Sequence, residues 1–226
     1  MVWGEGESGL MHELSPLHRL VAASAGRGVQ AAQLLFALDR RLADCWRLTN
    51  EPMIAQIRLA WWRDALAGDA ASGEPLLASL MALPQFETMR PHLIAMADGW
   101  EEWIVRDVAA EQEALLPFAK GRGAGLFRAL SEVAGVRTDD RDAGEGAIWA
   151  LWDLAGQMRD EAQRQAMVEL AAELAVAPME ARRRLAKPAA MLARLSRADV
   201  LGGRHSPQGM TPGFYLRIIA AQILAR

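Results

Sequence analysis

Apolar positions recur at spacings of three and four along almost the whole chain, the period of helices with one buried face. Between Val29 and Leu66 the pattern predicts two helices folded back on each other across a turn at Leu48–Thr49–Asn50. In the first, Leu34, Leu35, Leu38, Leu42 and Cys45 or Trp46 form the stripe. In the second, which Asn50 caps and Pro52 opens, the predicted stripe is Met53, Ile54, Ile57, Trp61 and Ala65. Ser15–Pro16 opens a short helix ahead of this pair, closed by Gly26 and Gly28. After a small-residue linker from Gly68 to Pro75 come helices at Leu76–Leu83 and His92–Val108, the latter opened by Pro91. A long helix at Gln112–Val136 contains Gly121, Gly123 and Gly125, which point to close backbone contact or a break. Arg137–Gly144 reads as a charged loop. Helices around Ile148–Ala155, over Gln157–Val176 and from Pro178 follow, with a break at Lys187–Pro188. Gly202–Gly209 is a loop, and Thr211–Pro212 caps a last apolar helix. No alternating strand pattern and no internal repeat is found. The expected fold is all-α: a single bundle of roughly eight to ten helices over residues 15–226, preceded by a flexible arm at 1–14.

Composition agrees, with 52% apolar residues, 23% charged and one tyrosine in 226 residues. The single cysteine, Cys45, falls on an apolar face and reads as a small buried hydrophobe; with no partner for a disulfide, the chain is expected to be cytoplasmic. No window is apolar for long enough to span a bilayer. Charge is unevenly spread. Met1–Pro178 carries 16 basic and 26 acidic residues, whereas Met179–Arg226 carries 9 basic and 2 acidic. The basic C-terminal region is a candidate for peripheral contact with an anionic membrane, set against the plainer reading of a solvated face that balances the acidic body. An acidic body without a binding module gives no support to a nucleic-acid partner.

Phosphate loops, dinucleotide fingerprints, HExxH and paired Cys or His at metal spacing are all missing. His12, His18, His92 and His205 stand singly, and surface or capping roles are expected for them. Acids four apart on a helix can jointly hold Mg²⁺ on a diphosphate; Asp98/Glu102, Asp107/Glu111 and Glu169/Glu173 have that spacing, which is also that of an ordinary solvated face. Asp39 and Asp44, five apart, do not share a face. The Asp139/Asp140/Asp142 cluster lacks the glycine and bidentate glutamate of a calcium loop.

The segment LLFALDRRLADCWRLTNEPMIAQIRLAWWRDAL resembles the squalene/phytoene synthase family, and within it a branch that includes a respiratory complex I assembly factor. Phe36–Ala37–Leu38, Glu51–Pro52–Met53, Arg58 and Trp61–Trp62–Arg63 carry the likeness, and Leu115–Ala119 with the glycines up to Gly135 resembles the family's close-packing helix. The likeness covers roughly residues 15–155. It implies the isoprenoid synthase fold, a helical bundle around an apolar cavity. In the family, Mg²⁺ held by two acidic DxxxD motifs on facing helices drives head-to-head condensation of prenyl diphosphates. At the first motif this chain reads Ala43–Asp44–Cys45–Trp46–Arg47, with arginine in place of the last acid. At the second it reads Ala150–Gly156 with Asp153 alone.

The resemblance therefore implies a squalene/phytoene synthase-like protein that is not catalytic, needs no cofactor, and either binds an isoprenoid diphosphate or other lipid or serves as an assembly or scaffolding factor with a protein partner. Asp39, Asp44, Arg58 and Arg63 are the candidate ligand-binding residues, the two arginines as anion contacts or as ion-pair partners of the two aspartates; no catalytic or metal-binding residue is assigned. One alternative is a divergent prenyltransferase that uses Mg²⁺ through other acids such as Asp98 or Glu102. The other is a helical interaction module.

Overall fold

The computed structural model describes residues 14–68, 73–105, 112–176 and 184–225. Outside them lie most of the expected arm (1–13, with His12), the centre of the linker (69–72), the Asp107/Glu111 pair and the helix start at Pro178. The described residues form ten α-helices and no strand: α1 (Pro16–Ala23), α2 (Val29–Arg47), α3 (Pro52–Ala67), α4 (Pro75–Met81), α5 (Phe86–Val105), α6 (Gly125–Ala134), α7 (Asp140–Ala155), α8 (Glu161–Val176), α9 (Lys187–Val200) and α10 (Pro212–Leu224). Their buried apolar side chains make one contiguous core, from Leu14 to Ala225. The expected all-α bundle of eight to ten helices is what the chain forms.

Local chemistry sets the boundaries. Ser15 accepts a hydrogen bond from the His18 amide at 3.1 Å and caps α1; Thr211 caps α10 through the Phe214 amide. The 137–144 stretch is a helix start rather than a loop. Asp139 and Asp142 form a reciprocal capping box, and the aspartates there serve this cap, not a metal. Asp142 also accepts from the Ser131 hydroxyl at 2.7 Å. Pro91 does not open α5 but lies inside it, whereas Pro188 lies in the first turn of α9, where no amide is needed.

Helix α3 corrects the expected stripe. It buries Ala55, Leu59, Trp62, Ala65 and Leu66, and leaves Met53, Ile54, Ile57 and Trp61 open. Apolar residues line two sides of this helix, and packing against α2 and α5 chose the side with the smaller residues and Trp62.

At the centre, α7 is buried almost throughout its second half and lies against α8, α9 and a π-helical segment, Ala119–Ala124, that runs into α6. That segment is wedged between α5 and α7. A Cβ on Gly123 would overlap the Gly146 carbonyl, a Cβ on Gly146 would overlap that of Gly123, and a Cβ on Gly121 would lie 2.6 Å from the Gly99 Cα. The glycines thus give backbone contact on both sides of the segment, as expected for this stretch, and the helical run around them switches to π rather than breaking. Gly123→Ala is expected to cost about 1–3 kcal/mol or more. Gly144→Ala, where a Cβ meets nothing on an exposed turn of α7, is expected to stabilise by up to about 1 kcal/mol. Urea unfolding of the two variants checks the contrast.

Candidate functional site

The close approach of the glycine segment delivers Arg122 to the middle of the bundle, where only 2% of its side chain is exposed. Its Nε donates to Asp39 Oδ1 at 2.8 Å and its Nη2 to Asp39 Oδ2 at 2.7 Å, a two-pronged pairing with α2. Nη2 also donates to Asp153 Oδ2 on α7 at 2.6 Å, and Nη1 to the Ala150 carbonyl at 3.3 Å. The guanidinium carbon lies 4.8 Å from the Trp100 ring centroid and 4.6 Å from that of Trp149, within cation–π range of both. Trp100 Nε1 adds a donor to Asp39 at 3.3 Å, and Gln157 Nε2 one to Asp153 at 2.8 Å.

Burial alone would raise the Asp39 pKa, but the Arg122 charge and its hydrogen bonds outweigh it and hold the carboxyl below its ordinary value of 3.8. Burial acts on Arg122 in the opposite sense; Asp39 and Asp153 more than offset it and raise the arginine pKa. Asp39 and Arg122 are therefore charged together.

This bridge forms the floor of a cavity of about 410 Å³, within the range of small-molecule sites. Leu14, Leu17, Ala43, Met210 and Phe214 supply apolar wall, and His18, Arg40, Arg47, Gln157 and Gln208 the polar groups. The loop before α10 is tied to the floor helix, because Ser206 donates its amide to the Trp152 carbonyl at 3.1 Å and Gln208 its side chain to Gly156 at 3.0 Å. Two wall groups are under-satisfied. His18, stacked on Phe36 at 4.6 Å, has an Nε2 shut off from solvent without a hydrogen-bond partner, and burial lowers its pKa so that the ring is neutral at pH 7. The expectation of a surface or capping role for this histidine is thus corrected. Arg47 reaches Asp44 only at 3.9 Å, and that carboxylate already accepts from Arg40 Nε at 3.0 Å through both oxygens.

Of the four candidate residues, Asp39 lines the cavity; Asp44, Arg58 and Arg63 are not among its walls. The ion-pair pattern expected for the two arginines is corrected as well. Asp39 pairs with Arg122 and Asp44 with Arg40 and Arg47, while Arg63 turns to Glu101 at 2.8 Å and Asp98 at 3.5 Å. Arg58 is exposed. Sequence reasoning missed Arg122, His18 and Gln157. The available signal for Arg122 was a long cation flanked by glycines inside a helix. Cys45 is buried as expected, and burial pushes its thiol up to about 11.

The Mg²⁺ that synthases of the squalene/phytoene synthase family hold between acidic helices does not fit these residues. The cavity faces of the two helices present Asp39, Ala43 and Arg47 on one and Asp153 and Gln157 on the other, one carboxylate each, and Arg122 already binds both. Among the described residues no group of three or more His, Cys, Asp or Glu side chains could hold a metal ion. No protein-family model matches the chain, and no curated protein or solved structure is significantly similar to it.

Arg122→Met would leave two buried carboxylates without their cation, and is expected to cost about 3–5 kcal/mol at pH 7. The pH dependence should reverse. In the unaltered chain Asp39 has a depressed folded-state pKa, so its contribution is present above the ordinary value of 3.8 and is lost as pH falls through the lower, folded value. In the variant desolvation raises the carboxyl pKa, so stability should rise as pH is lowered from 7 toward 5. Urea midpoints across that range test both signs.

Proposed function

We propose that this chain is a squalene/phytoene synthase-like protein of the isoprenoid synthase fold that binds an isoprenoid or other lipid through an anionic head, without metal and without condensing it. The observation that carries the reading is the Asp39–Arg122–Asp153 bridge. Where the family places metal between carboxylates of two facing helices, this chain places a guanidinium that is part of its own fold. The apolar wall suits a hydrocarbon chain. Arg47, with its single long ion pair, is the cation available to the head. A cytoplasmic location belongs to the same proposal and rests on the lone buried thiol; no helix among the described residues is long and apolar enough to cross a membrane.

A second reading, an assembly or scaffolding role, is favoured by the open side of α3. Met53, Ile57 and Trp61 are exposed at successive spacings of four, at 71%, 63% and 38%, a line that a partner helix could cover. The prenyltransferase alternative would need acids other than the bridged pair. Asp98 is already engaged by Arg63 outside the cavity walls.

Thermal unfolding with farnesyl diphosphate, with farnesol, and with each in Mg²⁺ or in EDTA separates the three. At 100 times its dissociation constant a ligand adds about 2.7 kcal/mol, a rise of roughly 5–11 °C for a chain of this size. The expected result is a rise with the diphosphate that is undiminished in EDTA, lost in Arg47→Ala and kept in Arg58→Ala and Arg63→Ala. A rise that requires Mg²⁺ would favour the enzyme, and no rise with either ligand the scaffold.

A further inference from the structure

Helix α10 contributes Phe214 to the cavity wall, packs its inner face on the core and leaves its outer face uncovered. Phe214, Ile218 and Ala221 are buried, whereas Tyr215, Leu216, Ile219, Ile223 and Leu224 are exposed at 44%, 66%, 37%, 56% and 57%. Their spacings of one, three and four place them on one side of the helix. Of the thirteen residues of α10 only Arg217 is charged, and it forms an ion pair with buried Asp199 at 2.7 Å.

Along this part of the chain the exposed charged side chains are cationic. Over residues 187–225 the only acid is Asp199, against Lys187, Arg194, Arg197, Arg204 and Arg217. Arg197 turns inward to Glu145. Arg204 shares Asp199 with Arg217 while 60% of its side chain stays exposed, and Arg194 lies beside the end of α10, where it donates to the Leu224 carbonyl at 3.4 Å. The chain as a whole carries a net charge of −3. An apolar helix face rimmed by cations is complementary to a negatively charged lipid surface. A second copy docked face to face through the same helix would bring two cationic ends together.

We infer that α10 is a membrane-docking helix: its outer face enters the headgroup–acyl boundary of an anionic phospholipid bilayer. Docking stands on the α10 surface alone and does not depend on what the cavity binds.

The test is flotation of the full chain with vesicles of phosphatidylcholine, with and without about one-third phosphatidylserine, at about 0.1 M salt. The chain should float with the anionic vesicles and much less with the neutral ones, and Leu216→Glu/Ile223→Glu should reduce flotation about tenfold or more. Both positions are exposed, and unchanged circular dichroism would show that the double variant is folded. Met53→Glu/Ile57→Glu on α3 should float as before. In a gain-of-signal version, Leu216→Cys carries a polarity-sensitive thiol probe, since buried Cys45 is unreactive. Its emission should shift to the blue on adding anionic vesicles. Absence of flotation, equal flotation with neutral vesicles, or a double variant that floats normally would overturn the inference. So would a dimer in sedimentation that Leu216→Glu dissolves, which would assign the face to a second copy.

Discussion

A guanidinium held between two carboxylates in the middle of a protein is the constraint from which the rest of this structure follows. Desolvating three charges costs several kcal/mol each, and the cost is offset only if nearly every donor finds an acceptor in good geometry. Arg122 meets that demand with both oxygens of Asp39, one of Asp153 and the Ala150 carbonyl, while two indole rings lie within reach of its guanidinium. These partners come from α2, α5 and α7, so all three helices must converge on one point. They can do so only because Gly99, Gly121, Gly123 and Gly146 let backbones meet where side chains would otherwise hold them apart. The π-helical turn at Ala119–Ala124 is part of the same solution, since it re-aims a side chain inside a continuing helix.

That arrangement separates the two tasks of the cavity. The floor is structural: its charges are mutually satisfied, and removing Arg122 attacks the fold before it attacks any ligand. The wall is where a weakly engaged cation remains, in Arg47 with its one long ion pair. A cation in the floor also changes what the site asks of a ligand. The carboxylates of a metal site are unsatisfied until metal arrives, whereas Asp39 and Asp153 have their counter-ion as soon as the chain folds.

How far this could be read from the sequence depended on whether the information was local. The helices, the caps at Ser15 and Thr211 and the meaning of the glycines were legible because periodicity, Ser15–Pro16, Thr211–Pro212 and three glycines within five residues act over short range; the cap expected at Asn50 is not formed, since α3 starts from Glu51 with no side-chain cap. Asp39 and Asp44 were separable because residues five apart on a helix diverge; the structure buries the first and leaves the second at the surface with Arg40. Arg122 was not legible as a site residue, because its partners lie 83 and 31 positions away and a lone arginine in a helix is ordinarily solvated. The stripe of α3 failed for a different reason. Two apolar lines run along that helix, and only the shape of its neighbours decides which one is buried.

The side of α3 left open and the outer face of α10 are both apolar, but their surroundings differ in a way that bears on what each can meet. Beside Met53, Ile57 and Trp61 stand exposed Glu51, Arg58 and Asp64, charges of both signs. Mixed charge of that kind can fix register and orientation against another protein surface, which presents its own pattern of charges. Around α10 the uncompensated charges are cationic, and a uniform field selects for a uniform partner such as an anionic lipid leaflet. The two faces therefore do not compete for one partner. Docking of α10 on lipid would leave α3 open to a protein, so the proposed membrane docking and the assembly reading are compatible in one molecule.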